Sequence, residues 1–437
     1  MLKAFRRSYS SAEAALGRLT DRQLLQQATR VSASPPPRDC AVYCGFDPTA
    51  ASLHVGHLLT ISALLHCRQS GLHPIAVVGG ATGRVGDPSG RVTEREEVER
   101  DNLRTNAASI IDCLERIFHN DQKMRGAGPD IRVVDNWSWW KDVGAVEFVS
   151  DIARPFRVAS MLAKESVSQR MSSEEGMSCA EFLYPLFQAF DFLHLHTKHN
   201  CWLQVGGGDQ WGNITSGCEF VRKKTGHLVH GVTVPLLTTS SGDKLGKTAG
   251  NAVWLTGSSY PLYQFLLQTG DHDVATCLHR LTSLPPEEVD VIMQQHTTAP
   301  ESFLAQKRLA EEVTRLVHGA EGLTHAETAT KALFGDHHSL RSLTSDELLN
   351  LFSHVPTTQL NFDHLSSDTT VSEIAVQAKV VKSEFAVHQL LSTGGLYVNG
   401  DRVAENETFL PSLHMLPGNL TVFRVGKKTH HLIQWTH

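Results

Sequence analysis

The chain contains no apolar run long enough to cross a bilayer, so the sequence predicts no transmembrane helix and no membrane partner. Its eight cysteines include no C-x-x-C pair, the spacing typical of metal and redox sites. It has no large excess of charge of one sign, since the formal net charge is −6 over 437 residues. We therefore expect reduced thiols, and any nucleic-acid surface should be a local patch.

Two familiar nucleotide-binding motifs are also absent. The segment from Gly79 to Gly90 is rich in glycine but has no G-x-G-x-x-G, which excludes a dinucleotide-binding oxidoreductase. A P-loop ending at Gly246-Lys247-Thr248 would need glycine at position 241, which is Ser241. We instead expect a mobile loop that carries Lys244 and Lys247, and a glycine-rich segment that approaches a ligand closely.

The composition is 41% apolar and 20% charged, which is typical of a globular protein of two or three domains. Residues 1–12 contain three basic residues, three serines and no acid, which is typical of a mitochondrial transit peptide. The alternative is a disordered basic tail. Residues 12–30 could form an amphipathic helix through Leu16, Leu19, Leu24 and Leu25, followed by a stiff proline linker.

The most informative stretch runs from Tyr43 to His57. Ala41–Phe46 is apolar on both faces, as in a strand of a parallel sheet, and a helical pattern begins at His57. A loop that enters a helix N-terminus is a natural anion site, and His54 and His57 could donate to a phosphate there. Gly56 would let another group approach the backbone. Ordinary surface histidines or a zinc H-x-x-H pair remain alternatives.

Further strands are predicted at 74–78, 131–134, 202–205 and 232–237, alternating with helices that include 94–118. This alternation predicts a parallel sheet that binds ligands at the carboxyl ends of its strands. A capping box at Ser178 starts a helix with a polar stripe of Tyr184, Gln188 and Asp191, which Pro185 should kink. The stripe serves either a ligand or a hydrogen-bonded core network.

Two clusters of ring-bearing side chains allow a structural and a functional interpretation. Trp137, Trp139 and Trp140 favour core packing over a platform for stacking bases. The cluster His194, His196, His199 and Cys201 could hold a metal, but basic groups are also favoured at a helix C-terminus.

From about Asp271 the pattern becomes helical, and residues 354–370 read as a polar linker. Asn399-Gly400 is a strong hairpin signal. Between 371 and 437 there are six Lys and Arg against five Asp and Glu, so this region is weakly basic for an RNA-binding module. A simple packing domain is the alternative.

The words H-V-G-H at 54–57 and K-L-G-K-T at 244–248 resemble the HIGH and KMSKS motifs of class I aminoacyl-tRNA synthetases. The flanking words at 43–49, 79–83, 86–90 and 206–213 resemble the tyrosyl-tRNA synthetases of bacterial and mitochondrial type. The resemblance implies an α/β fold with three parts. They are a Rossmann-like parallel-sheet catalytic domain (39–270), an α-helical anticodon-binding domain (271–356) and a small α+β S4-like RNA-binding domain (365–437). A transit peptide and N-terminal arm (1–38) precede them.

The same resemblance implies an activity. The family activates L-tyrosine with ATP to tyrosyl-adenylate and pyrophosphate, then transfers tyrosine to the 3′ end of tRNA(Tyr). For this chain we expect mitochondrial tRNA(Tyr), a homodimer in the mitochondrial matrix, and Mg²⁺ with ATP but no protein-bound metal.

Site residues are carried over from the resemblance by role. Those expected to act in catalysis are Thr49, His54, His57, Lys244, Lys247 and Thr248. Those expected to bind tyrosine are Tyr43, Gly45, Asp87, Tyr184, Gln188, Asp191 and Gln210. Those expected to bind ATP are Asp47, Thr49, His54, Gly56, His57, Gly207, Asp209, Leu237 and Lys247, with Arg91 and Arg95 as further phosphate-binding cations.

Three other functions share some of these features. A tryptophanyl-tRNA synthetase is the nearest, although Tyr43 with Asp191 favours tyrosine. A small nucleotidyltransferase would share H-x-G-H but would not need the helical and S4-like extensions. An RNA-binding derivative that has lost catalysis would not need to keep both motifs.

The lysine loop yields the first prediction. Replacing Lys247 with alanine should slow adenylate formation by about 10²–10³ because a cation that stabilises transition-state charge is lost, with little change in tyrosine binding. Pyrophosphate exchange measures the first quantity and equilibrium titration the second. Exchange at the wild-type rate in Lys247→Ala would exclude this role.

Overall fold

The computed structural model describes residues 11–29, 36–37, 39–90, 93, 99–126, 128–173, 176–236, 238, 247–248, 251–334, 340–341, 343–352, 355–426 and 429–436. The chain folds as two compact units. The first is drawn from Met1–Gly257 and Phe265–Gly319, and the second from Ser258–Gln264 and Ala320–His437. Within the described ranges, no helix combines the length and apolar character that a bilayer crossing demands.

The secondary structure alternates strand and helix through the first unit. The strands are β1 (Gln27–Ala28), β2 (Ala41–Phe46), β3 (His73–Val78), β4 (Arg132–Asp135), β5 (Cys201–Gly207), β6 (His230–Val234), β7 (Lys247–Thr248), β8 (Asn251–Ala252), β9 (Thr357–Asn361), β10 (Leu396–Val398), β11 (Asp401–Arg402), β12 (Leu420–Val425) and β13 (Thr429–Thr436). The helices are α1 (Ser11–Asp21), α2 (Leu58–Gln69), α3 (Thr82–Val85), α4 (Arg100–Arg125), α5 (Trp137–Trp140), α6 (Ala145–Glu147), α7 (Val158–Leu162), α8 (Glu165–Met171), α9 (Cys179–His199), α10 (Trp211–Thr225), α11 (Ser259–Leu267), α12 (Asp271–Leu281), α13 (Pro286–Thr298), α14 (Leu304–Phe334), α15 (Ser345–Leu351), α16 (Val371–Gln377), α17 (Glu384–Thr393) and α18 (Pro411–His414).

The first unit is built on a six-stranded sheet in the order β1-β6-β5-β2-β3-β4. All neighbours are parallel except β1, which runs antiparallel to β6. The chain leaves β2 towards β3 on one side, whereas β5 lies on its other side. Because the strand order reverses there, the carboxyl ends of β2 and β5 open a crevice that suits a ligand. The predicted parallel sheet is therefore confirmed.

The helix predicted from residue 12 is shorter than the sequence pattern suggested. It ends at Asp21, and the chain then adds β1 to the edge of the sheet. Ala12, Ala15 and Leu19 are fully buried, and Arg18 donates from Nη1 to Gln69 Oε1 of α2 at 2.6 Å. Residues 11–28 thus belong to the sheet-bearing unit, because they bury apolar side chains and satisfy an edge strand.

Helix α9 starts at the predicted capping box, where Ser178 and Glu181 satisfy each other's backbone N–H groups. It then continues without interruption through Pro185 to His199. The tryptophan prediction is confirmed for Trp140, which is 7% exposed, and wrong for Trp137, which is 40% exposed beneath the Arg84 guanidinium.

The second unit contains a five-stranded sheet in the order β11-β10-β12-β13-β9. Asn399 and Gly400, at φ 49° and φ 96°, form the turn between β10 and β11, which confirms the predicted hairpin. The linker predicted at 354–370 was wrong for Thr357–Asn361, because this polar segment pairs in parallel with β13 as an edge strand. Edge strands carry weak side-chain patterns, so the main-chain pairing was not visible in the sequence.

The packing of α1 supports a second prediction. Leu19→Ala should destabilise the protein by about 2–5 kcal/mol, because it deletes a fully buried side chain. Leu16→Ala, which truncates the same residue type at a partly exposed position of α1, should cost clearly less. Urea unfolding of the two variants measures the difference. Equal losses would mean that α1 does not pack as described.

Candidate active site

A pocket of about 350 Å³ lies at the crevice between the carboxyl ends of β2 and β5. The site residues predicted from sequence that line it are Tyr43, Gly45, Asp47, Thr49, His54, Gly56, His57, Asp87, Tyr184, Gln188, Asp191, Gly207, Asp209 and Gln210. Segments separated by long stretches of chain thus meet in one cavity.

The histidine motif forms the 3₁₀ turn Val55–His57 that leads into α2. The backbone N–H of Gly56 donates to His54 Nδ1 at 3.0 Å, and the N–H of His54 donates to His57 Nδ1 at 3.1 Å. An Nδ1 atom that accepts a hydrogen bond has no proton, so the neutral rings carry theirs on Nε2. The rings lie 4.0 Å apart and are set up as hydrogen-bond donors.

Glycine at position 56 is required by the packing of this turn. A Cβ atom there would lie 2.8 Å from His54 Cε1 and 2.9 Å from His54 Nδ1. The loop glycines after β3 have a comparable role. A Cβ at Gly79 would collide with Asp47, and one at Gly80 would collide with Asp135. These two glycines therefore make room for protein carboxylates that border the pocket, rather than only for a ligand.

Asp191 projects from α9 and is 4% exposed. Its Oδ1 accepts hydrogen bonds from Trp139 Nε1 at 2.8 Å and Trp140 Nε1 at 2.7 Å, and its Oδ2 accepts one from Asn136 Nδ2 at 2.9 Å. Burial raises the pKa of Asp191 to about 7, although these three donors lower it. Three neutral donors thus fix the carboxylate in place without supplying a positive charge.

Tyr43 lies beside this carboxylate on β2. It is 2% exposed, and its hydroxyl has no hydrogen-bond partner within the described ranges. Burial first and the Asp191 charge second raise its pKa well above the usual value, so it stays neutral. A buried hydroxyl without a partner costs free energy, and a ligand hydroxyl placed here would remove that cost.

The other end of the pocket holds a second carboxylate. Asp87 accepts from Gln210 Nε2 at 2.6 Å and from the backbone N–H of Ser89 at 2.9 Å, and burial raises its pKa to about 6. Nearby, the Tyr184 hydroxyl donates to Asp47 Oδ2 at 2.9 Å. Acceptor groups at this end, including Gln188, suit a cationic ligand group.

Several predicted residues fall outside the described ranges, namely Arg91, Arg95, Leu237 and Lys244. For Lys247 and Thr248 only the backbone is described, in β7, which pairs with β8. The segment just after β8 is joined to the histidine motif. The N–H of Val55 donates to the Val253 carbonyl at 3.0 Å, and Trp254 forms a β-bridge with His54. Lys247 is six residues before Val253, so their Cα atoms lie within about 20 Å.

Sequence reasoning missed the residues that hold Asp191 and Asp47 in place. They are Asn136, the two indole donors Trp139 and Trp140, and Thr82, which donates to Asp47 Oδ1 at 2.7 Å. Asn136 follows the carboxyl end of β4, and that position was a usable signal. The tryptophans gave no such signal, because an indole in the core and an indole donor have the same sequence pattern.

The described residues contain no group of three or more His, Cys, Asp or Glu placed to hold a metal ion. In the suspected cluster, His196 instead hydrogen bonds to the Cys201 carbonyl and to His227, both at 2.9 Å.

Two family models match the chain. Residues 36–335 match the tRNA synthetases class I (W and Y), and residues 347–433 match the tyrosine–tRNA ligase SYY-like C-terminal domain. The mitochondrial tyrosine–tRNA ligase of Homo sapiens is 42% identical, over 90% of this chain and 84% of that protein. The Drosophila melanogaster mitochondrial enzyme is 41% identical over 90% and 87%.

Similarity extends to bacteria and to solved structures. The tyrosine–tRNA ligase of Geobacillus stearothermophilus is 41% identical over 90% of this chain and 92% of that protein. The structure of a C-terminally truncated mitochondrial tyrosyl-tRNA synthetase from Aspergillus nidulans matches with a TM-score of 0.67 and 32% identity, covering 74% of this chain and 94% of that one. The chain therefore belongs to the class I tRNA synthetases, and within them to the tyrosyl-tRNA synthetases.

Proposed function

We propose that this protein is a tyrosine–tRNA ligase that activates L-tyrosine with ATP and esterifies mitochondrial tRNA(Tyr). The observation that carries the proposal is the partnerless Tyr43 hydroxyl beside the fixed Asp191 carboxylate. A substrate phenol would donate to Asp191 and accept from Tyr43. Its ammonium group would then lie towards Asp87, Tyr184 and Gln188.

In the first reaction, the tyrosine carboxylate attacks the α-phosphorus of ATP and pyrophosphate leaves. No general base is needed, because the carboxylate is already ionised at neutral pH. The protein must position the reactants and stabilise the charge that develops on phosphate oxygens. His54 and His57 would donate from Nε2, Thr49 from its hydroxyl, and the lysine loop would supply Lys244, Lys247 and Thr248.

The remaining ligand contacts are assigned by the same likeness. Asp47, Gly56, Gly207, Asp209 and the Leu237 backbone would hold the ATP, with Arg91 and Arg95 as further phosphate-binding cations. Gly45 would border the tyrosine and Gln210 the reacting carboxylate. Mg²⁺ would arrive with ATP, bound chiefly by phosphate oxygens and water.

Discrimination against phenylalanine follows from the polar lining. Phenylalanine would leave Tyr43 and Asp191 buried and unpaired, which costs more than a lost methylene contact. The tyrosyl-tRNA synthetases are themselves the established example of such discrimination without an editing step, so no editing domain is required. Tryptophan is disfavoured because residues 347–433 match a tyrosine-specific C-terminal domain.

We further propose a homodimer in the mitochondrial matrix. The segment from 146 to 171 exposes large apolar side chains, among them Val146 at 82%, Val149 at 63% and Val158 at 62%. Such a concentration of exposed apolar surface is typical of a protein interface, and a second copy of this chain is the proposed occupant. Mitochondrial relatives and the basic, acid-free residues 1–12 support the location. The second unit would contact the tRNA.

The function can be tested by ATP–pyrophosphate exchange with each of the twenty amino acids. Tyrosine should support exchange far better than any other. In Asp191→Ala the kcat/KM ratio of tyrosine to phenylalanine should fall by about 10-fold or more, because the phenol loses its acceptor. Asp142→Ala removes an exposed carboxylate and should leave the ratio unchanged. Exchange with another amino acid, or an unchanged ratio in Asp191→Ala, would contradict the assignment.

The raised carboxyl pKa values predict a pH dependence. A raised pKa means that the ligand-free pocket takes up protons as pH falls, and protonated Asp191 can no longer accept from a phenol as an anion. With a pKa of about 7, lowering pH from 8 to 5 should weaken tyrosine binding by about 10². Asp87 is partly exposed and should add a smaller effect.

Phenylalanine provides the control on the same protein. It has no hydroxyl to place against Asp191, so its weaker binding should change less over the same pH range. Calorimetric titration at several pH values measures both ligands. Parallel pH profiles for tyrosine and phenylalanine would show that Asp191 does not receive the phenol.

A further inference from the structure

A second recess lies far from the catalytic pocket. It has a volume of about 580 Å³ and is bordered by Arg18 and Arg22 at the end of α1, Gln69 and Ser70 at the end of α2, and Glu287 at the start of α13. The histidine motif is at the opposite end of α2. That helix has 12 residues, so the two ends are separated by about 18 Å. The recess is therefore distinct from the catalytic pocket.

Arg22 is the unusual residue of this recess. Its side chain is 2% exposed, and its Nη1 atom has no hydrogen-bond partner within the described ranges. Burying a charged guanidinium without a partner is costly. The fold therefore holds a positive charge at the wall of a cavity without satisfying it.

The neighbouring carboxylates do not compensate Arg22. Asp121 is already engaged by Arg68 at 3.0 Å and by Arg125 at 2.6 Å. Asp21 and Glu287 are exposed at the rim. Burial lowers the pKa of Arg22, followed by the charges of Arg18 and Arg125, and these effects outweigh the two rim carboxylates.

Gln69 provides a second buried donor. Its Oε1 accepts from Arg18 Nη1 at 2.6 Å, which fixes the orientation of the amide. Its Nε2 is buried and has no acceptor within the described ranges. Next to it, His66 is fully buried and neutral, because burial and the three nearby arginines lower its pKa to about 3. The recess is thus electropositive and carries donors that lack acceptors.

We propose that this recess binds a small oxyanion of carboxylate or phosphate type. The planar guanidinium of Arg22 presents two parallel N–H groups that match two oxygens of such an anion, and Gln69 Nε2 supplies a third donor. Arg18, held by Gln69, adds positive charge. The exposed acids Asp21 and Glu287 at the rim disfavour a polyanion such as RNA, so the ligand is a small molecule.

The test uses the full chain. Its melting midpoint is measured in sodium chloride, sodium phosphate and sodium acetate at equal ionic strength. We expect phosphate, acetate or both to raise the wild-type midpoint by about 2 °C or more over chloride, because a ligand that binds the folded state stabilises it. The effective anion identifies the class of ligand.

Variants separate the recess from other anion sites. Arg22→Gln should lose the rise, whereas Arg104→Gln, which removes an exposed arginine on α4, should keep it. Arg22→Lys retains the charge without the planar donor pair and should keep only part of the rise. A rise of the same size in Arg22→Gln and the wild type, or no rise in the wild type, would overturn the proposal.

Wild-type crystals provide a measurement that does not depend on a variant folding. Soaking in selenate, a phosphate-like oxyanion, and recording anomalous diffraction should give a peak within hydrogen-bond distance of the Arg22 guanidinium. Water alone in the recess, or selenate only in the catalytic pocket, would contradict the proposal.

Discussion

The parallel pairing of β2 with β5 is the constraint on which the catalytic pocket depends. It sets Tyr43 opposite Gln204 and brings Asp47, just after β2, near Gly207 at the end of β5. Because the chain turns away in opposite directions from these two strands, their carboxyl ends stay open while the rest of the sheet is covered. The histidine turn and the N-terminus of α2 then lie at the same crevice.

Within that crevice the fold keeps polar groups away from water without neutralising them. Asp191 is held by three neutral N–H donors, and Tyr43 keeps a hydroxyl with no partner in the described part of the chain. The pocket is therefore less favourable when empty than when a phenol completes its hydrogen bonds. Specificity follows from this arrangement, because a ligand without the hydroxyl leaves both groups unpaired.

Backbone pairing also connects two motifs that are far apart in the sequence. The hydrogen bonds that join residues 53–55 to residues 253–255 tie the segment after the lysine motif to the histidine turn. This pairing needs no particular side chains, so it can hold the second motif near the first while the loop between β6 and β7 varies in sequence. The same helix α2 that starts at the histidine turn ends at the Arg22 recess, so both candidate ligand sites lie at its ends.

Local signals in the sequence determined β2, the start of α9 at its capping box, the Asn399-Gly400 hairpin and the residues that line the pocket, because strand period, caps and turns act over a few neighbouring residues. Resemblance supplied the roles of those residues, which stay predictions. Only the tertiary structure decided which donors hold Asp191, that Thr357–Asn361 is an edge strand, and that Arg22 is buried without a partner. These features depend on contacts between distant parts of the chain, and the physical reason is that burial and pairing are properties of the folded neighbourhood rather than of the residue.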